Sequence, residues 1–164
     1  MSAVIASLHA LLETVPVASL AVRAGDDAEV SLVPFVLARE PLRFVLFVSE
    51  LAAHTASLRA AGRCSLMVHR GPTEGDPRDH HAIERVIVRA AARFLSREEA
   101  EALGHAGRWR EAFPHVAPMV LGLKDFHFVE LTPERDASTF IQGFGRAYRV
   151  LGASLDAVEH VSAR

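Results

Sequence analysis

The stretch at 43–70 limits the possible folds more than any other part of the sequence. It contains two β-prone apolar runs, at 44–48 and 64–68, and apolar residues recur at helical spacing between them. Ser49 stands at the position of a helix N-cap, and Gly62 stands where a left-handed residue would end the helix. The stretch therefore predicts a strand, a short helix and a strand in direct succession.

The start of this predicted helix is a candidate anion site. Backbone N–H groups and the helix dipole converge there, and both favour a phosphate. Ser49, His54 and Thr55 are the side chains that would line it. Two interpretations stay open, because a serine at a helix start is more often a structural cap and a lone helical histidine is more often a surface residue.

The composition allows one full hydrophobic core and does not favour nucleic acid as a partner. The chain has 164 residues, of which 50% are hydrophobic, so we expect a single domain over 1–164. The formal net charge is -2 and the arginines are dispersed. A nucleic-acid surface would need a concentrated basic field, which this sequence lacks.

The N-terminal sequence and the single cysteine bear on location and redox chemistry. Residues 1–15 lack the charged start and long apolar run of a secretory signal, and no segment reaches the ~18 apolar residues of a membrane span. We therefore expect a cytoplasmic protein with no membrane partner. Cys64 lies in an apolar strand run, so we expect a buried small hydrophobe and not a nucleophile.

Short β runs and turns alternate along the rest of the chain. Helical spacing at 2–14 predicts an N-terminal helix, and the runs 17–23 and 29–37 flank a Gly-Asp-Asp turn, which predicts a hairpin. Pro34 cannot donate to a strand ladder, so it marks an edge, a bulge or a place where the backbone faces a ligand. Further strands are predicted at 83–95, 126–131 and 139–150, and helices at 96–103, 109–113, up to 121, and 153–162.

Two short segments contain residue types that can bind ligands, but a structural interpretation is favoured for both. The segment 71–81 has the composition of a loop, and its adjacent histidines, His80 and His81, would point in opposite directions on an extended chain. No second Cys or His cluster has a matching spacing, so we expect no metal site. Gly-Phe-Gly at 143–145 precedes a strand and not a helix, so a structural bulge is expected there instead of a dinucleotide motif.

Six or seven strands with short links and few inserted helices predict a small antiparallel barrel. Six segments also match a known family in order, at 30–35, 49–58, 64–68, 85–88, 125–128 and 143–147. On these segments the chain resembles the FMN-binding split-barrel superfamily, the pyridoxamine 5′-phosphate oxidase-like proteins, and within it the haem-utilisation (HugZ-type) branch. The resemblance implies a mainly β fold with peripheral helices, a six- to seven-stranded antiparallel split β-barrel.

The resemblance also implies a homodimer that binds FMN in a cleft between its subunits. The cofactor-binding residues that it implies are Ser31, Leu32, Val33 and Pro34 beside the isoalloxazine, Ser49, His54 and Thr55 at the phosphate, and Arg85 as an added charge. An FMN-dependent oxidoreductase acting on a small molecule is the function that follows. No side chain is assigned as a catalytic acid or base.

Departures from the family pattern argue against oxidation of vitamin B6. Ala53 and His54 occupy the places of an Arg-Lys pair in classical pyridoxamine phosphate oxidases, and Pro34 occupies the place of a lysine. Their C-terminal Arg-Leu-His motif has no counterpart. Two alternatives to the FMN enzyme stay open: a haem-binding or haem-degrading protein with His127 or His160 on the iron, and a cofactor-free sensor or interaction module.

Overall fold

The computed structural model describes residues 2–71 and 80–161. Its α-helices are α1 (Ala3–Thr14), α2 (Ala53–Ala61), α3 (Arg97–Ala102), α4 (His105–Ala112) and α5 (Ala117–Val120). Its strands are β1 (Val17–Ala24), β2 (Asp27–Pro34), β3 (Val36–Arg39), β4 (Leu42–Ser49), β5 (Arg63–His69), β6 (Arg85–Phe94), β7 (Phe126–Pro133), β8 (Ser138–Gly143), β9 (Arg146–Leu151) and β10 (Ala157–His160).

The ten strands of the described residues form one antiparallel sheet. One path through the sheet runs β10-β9-β8-β6-β5-β1-β2, while β6 also pairs with β7, β7 with β4, and β4 with β3. Strand β6 pairs with β8 near its start and with β7 near its end, so the sheet divides and curls at β6. This arrangement confirms the prediction of a mainly β split barrel with peripheral helices.

The number of strands exceeds the six or seven that were expected. The predicted run 29–37 is two strands, because Pro34 has no N–H and the N–H of Phe35 donates to the carbonyl of Pro16 at 3.0 Å. The Gly-Phe-Gly sequence lies at the turn between β8 and β9, and the register shift between Ile141 and Gly143 fits the expected bulge.

The residues buried in the sheet form two hydrophobic clusters on its two faces. Alternate residues of β1, β5 and β6 point into the larger cluster, and Leu20, Leu66 and Val88 are fully buried there. Cys64 belongs to this cluster, as expected. The smaller cluster lies between β4, β7 and the helices α4 and α5, around Phe47 and Trp109.

The opposite sides of β1, β2, β5 and β6 form a face that no described element covers. Its exposed apolar residues include Val30 and Leu32, with side chains 69% and 71% exposed. The strand register places Leu32, Ser19, Met67 and Ile87 in one row across the four strands. We call this surface the outer sheet face.

Several predicted helix boundaries are confirmed by their caps. The Ser2 side chain accepts from the Ile5 N–H at the start of α1, and Ser96 forms a capping box with Glu99 at the start of α3. Gly62 ends α2 in the left-handed region, with φ of 65°.

Three other local predictions were wrong. The N-cap of α2 is Ala52 and not Ser49, because two turn residues, Glu50 and Leu51, separate Ser49 from that cap. Helix α4 begins at His105, before the predicted 109–113. The predicted helix at 153–162 is instead β10, because residues 157–160 pair with β9 along the sheet edge.

The remaining expectations concern loops, metals and membranes. Residues 72–79 of the predicted loop lie outside the described residues, and its end, His80–Ala82, is a 3-10 helix. Within 2–71 and 80–161 there is no group of side chains arranged to hold a metal ion. No helix in that part of the chain is long and apolar enough to cross a membrane.

Candidate functional site

The turn between β4 and α2 is held by hydrogen bonds from Ser49. Its Oγ donates to Asp125 Oδ2 at 2.9 Å and accepts from the Leu51 N–H at 3.1 Å. The N–H of Glu50 also donates to the Asp125 carbonyl, at 2.8 Å. Ser49 therefore ties the turn to the residue that precedes β7, and it does not cap α2.

The first turn of α2 contains the other two residues predicted for the phosphate. The Thr55 side chain is buried, and its hydroxyl donates to the Ser49 carbonyl at 2.6 Å. His54 Nε2 is also buried and has no hydrogen-bond partner among the described residues. Burial lowers the pKa of His54, and the negative charge of Glu29 partly opposes that effect.

No side chain caps α2, in contrast to α1 and α3. Its N-cap residue is Ala52, which has no group that could accept from a backbone N–H. The N–H groups at the start of a helix carry partial positive charge and need acceptors. The Thr55 N–H already donates to the Ala52 carbonyl at 2.9 Å, so the N–H groups of Ala53 and His54 are the ones that can donate to an anion.

A histidine, a glutamate and an arginine meet beside this turn, and we call them the α2 cluster. His127 Nε2 lies 2.8 Å from Glu50 Oε1, although the orientation of the two groups does not satisfy hydrogen-bond geometry. Arg59 Nη2 lies 3.2 Å from the same oxygen. The Arg59 guanidinium also stacks over Phe94, 4.0 Å from the ring centroid. These side chains are partly exposed.

The four β2 residues predicted for the flavin ring divide between the two faces of the strand. Val33 is buried and Ser31 is half-buried, whereas Leu32 and Pro34 are exposed. The β2 strand reaches α2 near its start, where Ser57 Oγ donates to Glu29 Oε2 at 2.7 Å. Ser31 lies two residues further along on the same face of β2.

Arg85 lies away from the other predicted phosphate residues within one chain. It pairs with His69 at one end of the β5–β6 ladder, while Arg63, which follows α2 directly, pairs with Ala91 at the other end. At about 3.3 Å per residue this separation is roughly 20 Å. Arg85 Nη1 donates to the carbonyls of His81 and Ile83, at 3.1 and 2.9 Å. One chain thus brings Ser49, His54 and Thr55 together, without Arg85.

The second histidine proposed for iron lies on the edge strand β10. His160 is exposed, and its ring makes an edge contact with Tyr148, with 5.3 Å between the centroids. Arg149, the neighbour of Tyr148 on β9, lies 3.4 Å from Glu159. His160 and Tyr148 are register partners and share one face of the sheet edge, while Arg149 and Glu159 share the other.

A second charged cluster lies on the other face of β7, and we call it the buried cluster. His105 Nε2 lies 2.8 Å from Glu130 Oε1, and Arg93 Nη2 lies 2.9 Å from Glu130 Oε2. Burial alone would raise the pKa of Glu130, but hydrogen bonds from His105 and Arg93 outweigh it and lower the pKa.

Comparison with known proteins adds a relative in sequence and several in structure. No family model matches the chain. Over 134 residues, 82% of this chain and 73% of the relative, it is 28% identical to the haem oxygenase HutZ of Vibrio cholerae. The crystal structure of HutZ, described as a haem storage protein, matches with a TM-score of 0.73 and 20% identity, covering 92% of this chain and 98% of HutZ.

Two further structures show the same fold. ChuZ of Campylobacter jejuni matches with a TM-score of 0.77 and 20% identity, over 98% of this chain and 63% of ChuZ. A putative pyridoxamine 5′-phosphate oxidase of Listeria innocua matches with a TM-score of 0.59 and 13% identity, over 85% of this chain and 98% of that one. These similarities show that the chain has the split-barrel fold of the HutZ, ChuZ and pyridoxamine 5′-phosphate oxidase-like structures.

The sequence of this split barrel did not reveal the whole α2 cluster. Ser49, His54 and Thr55 were identified because they are close in sequence. Glu50 directly follows Ser49 but was given no role, and Asp125 joins the site only because β4 pairs with β7. His127 was identified only as a possible iron ligand. His105 and Glu130 were missed, since 25 residues separate them and neither belongs to a recognisable motif.

Proposed function

We propose that this split-barrel protein binds haem, and that it serves in haem utilisation as a haem-binding or haem-degrading protein. The observation that carries the proposal is the similarity to the haem oxygenase HutZ, which extends over 82% of the chain. Bound haem would supply the redox chemistry, and the protein would hold and orient it. This proposal replaces the FMN enzyme as the first interpretation.

The chain has a histidine that fits an iron ligand at the sheet edge. An axial imidazole must present a ring nitrogen to the iron. His160 is exposed on β10 and rests against Tyr148, whereas His127 Nε2 is buried beside the Glu50 carboxylate. Arg146, which lies on the same face of β9 as Tyr148, could meet a haem propionate. We therefore assign the iron to His160 and treat His127 as the competing ligand.

A haemin titration followed by visible absorption tests this assignment. We expect saturable binding with a Soret band in the wild type, and a shifted Soret band with weaker binding in His160→Ala. His127→Ala should keep the wild-type spectrum. His115→Ala is the matched control, because His115 is an exposed histidine away from both sites. A spectrum changed by His127→Ala and not by His160→Ala would move the ligand to the α2 cluster.

We also propose that two copies associate through the outer sheet face. Val30 and Leu32 leave an exposed apolar surface there, of the kind that usually marks an interface. Leu32→Glu should place a charge in the interface and convert a dimer to a monomer in light scattering. Leu51→Glu is the control, because Leu51 is 90% exposed and lies in the turn before α2. A wild-type protein that is monomeric at all concentrations would refute the association.

FMN remains a second candidate, supported by the uncapped start of α2. Ser49, His54 and Thr55 surround that start, and a flavin phosphate would supply the missing acceptor. Ser31, Leu32, Val33 and Pro34 beside the flavin ring, and Arg85 at the phosphate, stay predictions. In this assignment the Arg85 contact requires a second copy of the chain, because Arg85 lies at the far end of β6.

Quenching of FMN fluorescence separates the two cofactors. Saturable quenching that weakens in Arg85→Ala would support a flavin site shared between two copies. Haem binding without FMN binding would support the haem proposal and argue against the flavin site. A folded protein that binds neither would favour the sensor or interaction module.

A further inference from the structure

A cavity lies in the smaller hydrophobic cluster, apart from the outer sheet face and the β10 edge. It lies between β4 and β7 on one side and α3, α4 and the end of α5 on the other, it is open to solvent on one side, and its volume is about 150 Å³. An apolar cavity of about this volume holds a benzene ring, whereas a haem or an isoalloxazine is much larger. The cavity is therefore not a site for either cofactor proposed above.

The floor of the cavity is aromatic. Phe47, Phe126 and Phe128 line it, and the Phe47 ring centroid lies 5.1 Å from that of Phe126 and 4.4 Å from that of Phe128. Ala106 and Leu121 complete the apolar lining on the helical side. A planar ring can stack on such a floor with favourable offset or edge contacts.

The charged lining residues carry two guanidinium groups and one carboxylate, from Arg97, Arg110 and Glu101. The Arg97 guanidinium donates to the carbonyls of Leu121 and Leu123, and these hydrogen bonds hold its side chain in place. The side chains of Arg110 and Glu101 make no ion pair or hydrogen bond with any described residue. Arg110 is therefore available to a ligand, and the three charges leave one net positive charge.

We propose that this cavity binds a small aromatic monocarboxylate. The ring occupies the aromatic floor, and the carboxylate accepts hydrogen bonds from Arg110 at the exposed side. Glu101 disfavours a second negative charge on the ligand and can accept from a ring hydroxyl or amine. The inference does not depend on haem or flavin binding, because it uses neither His160 nor the first turn of α2. His127 also lines the cavity, and the proposal assigns it no contact with the ligand.

Trp109 provides a direct readout, since it is the one tryptophan of the chain. Its ring centroid lies 5.7 Å from that of Phe47 and 6.3 Å from that of Phe128. Titration with sodium benzoate should therefore change the tryptophan fluorescence, and saturation-transfer NMR should detect the bound benzoate. Absence of saturation transfer to benzoate at millimolar concentration would overturn the proposal.

Two variants test the two halves of the site, with benzyl alcohol as the uncharged analogue. Arg110→Gln should weaken benzoate about tenfold, as expected for loss of a charge-assisted contact, and leave benzyl alcohol within about twofold. Ala106→Leu fills the cavity and should abolish binding of both ligands, with folding checked by circular dichroism. Arg135→Gln, which makes the same charge change at an exposed position elsewhere, should bind like the wild type.

Two outcomes would contradict the assignment. Equal weakening of benzoate and benzyl alcohol by Arg110→Gln would show that Arg110 does not recognise the carboxylate. Unchanged binding in a folded Ala106→Leu protein would place the ligand outside the cavity. The Arg110→Gln comparison remains decisive if Ala106→Leu fails to fold, because Arg110 is exposed.

Discussion

The α2 cluster and the buried cluster use the same three residue types on the two faces of β7, but in different environments. In the α2 cluster the side chains of His127, Glu50 and Arg59 are 30%, 54% and 50% exposed. In the buried cluster His105 and Glu130 are only 2% and 11% exposed, and Arg93 alone reaches solvent.

The carboxylate of the buried cluster is also more completely paired than the carboxylate of the α2 cluster. Glu130 uses both oxygens, one for His105 and one for Arg93. Glu50 uses Oε1 for both of its partners, and its contact with His127 lacks hydrogen-bond geometry. A buried charge must be fully paired to be tolerated, whereas an exposed one can exchange partners. The buried cluster is therefore part of the scaffold, and the α2 cluster is free to rearrange around a ligand.

The largest expected effect is the loss of stability in His105→Ala. Removing this ring leaves Glu130 Oε1 unpaired beneath α4 and opens a cavity, which should lower the free energy of unfolding by about 3 kcal/mol. His127→Ala is the matched variant on the other face, where we expect a loss below about 1 kcal/mol because the pair is partly exposed. Urea unfolding measures both values. Equal losses in the two variants would show that the clusters do not differ as the structure indicates.

The acid dependence of stability should also be traceable to the buried cluster. Because the pKa of Glu130 is lower in the folded state than in the unfolded chain, the folded state binds fewer protons in the window between the two pKa values. The stabilisation is complete above the unfolded pKa of about 4.3 and is lost as the pH falls through the folded pKa. Glu130→Gln should therefore be less stable near neutral pH and lose less stability on acidification. Parallel curves of unfolding free energy against pH in both proteins would contradict this prediction.

An element of this fold could be predicted from the sequence where local contacts determine it, and could not where pairing with a distant segment does. Helices α1 and α3 were predicted because Ser2 and Ser96 are caps that act within one turn. The β4–α2–β5 succession was predicted for the same reason, since its strands and its Gly62 stop are local features. The local sequence predicts a helix at 153–162, whereas pairing with β9 makes residues 157–160 the strand β10.

The candidate site was predicted only as far as its residues are neighbours in sequence. Ser49 and Thr55 are in contact, but their contact holds the turn together. The Thr55 hydroxyl donates to the Ser49 carbonyl. Asp125 bonds to Ser49 across 76 positions of the chain, and such a contact exists only once β4 has paired with β7. No local sequence pattern carries that information, so the charged clusters on β7 could be identified only from the fold.

The smallest expected effect is the coupling between Glu50 and Arg59. Both side chains are about half exposed and their contact is 3.2 Å long, so a double-mutant cycle with Glu50→Gln and Arg59→Gln should give a coupling free energy below about 0.5 kcal/mol. Salt should reduce it further, because exposed charges are screened. The matched cycle, Glu130→Gln with Arg93→Gln, should give a larger value that resists salt, since Glu130 is mostly buried. A Glu50–Arg59 coupling as large and as salt-resistant as that of Glu130 and Arg93 would mean that the α2 cluster is rigid. A ligand would then have to bind to that fixed arrangement.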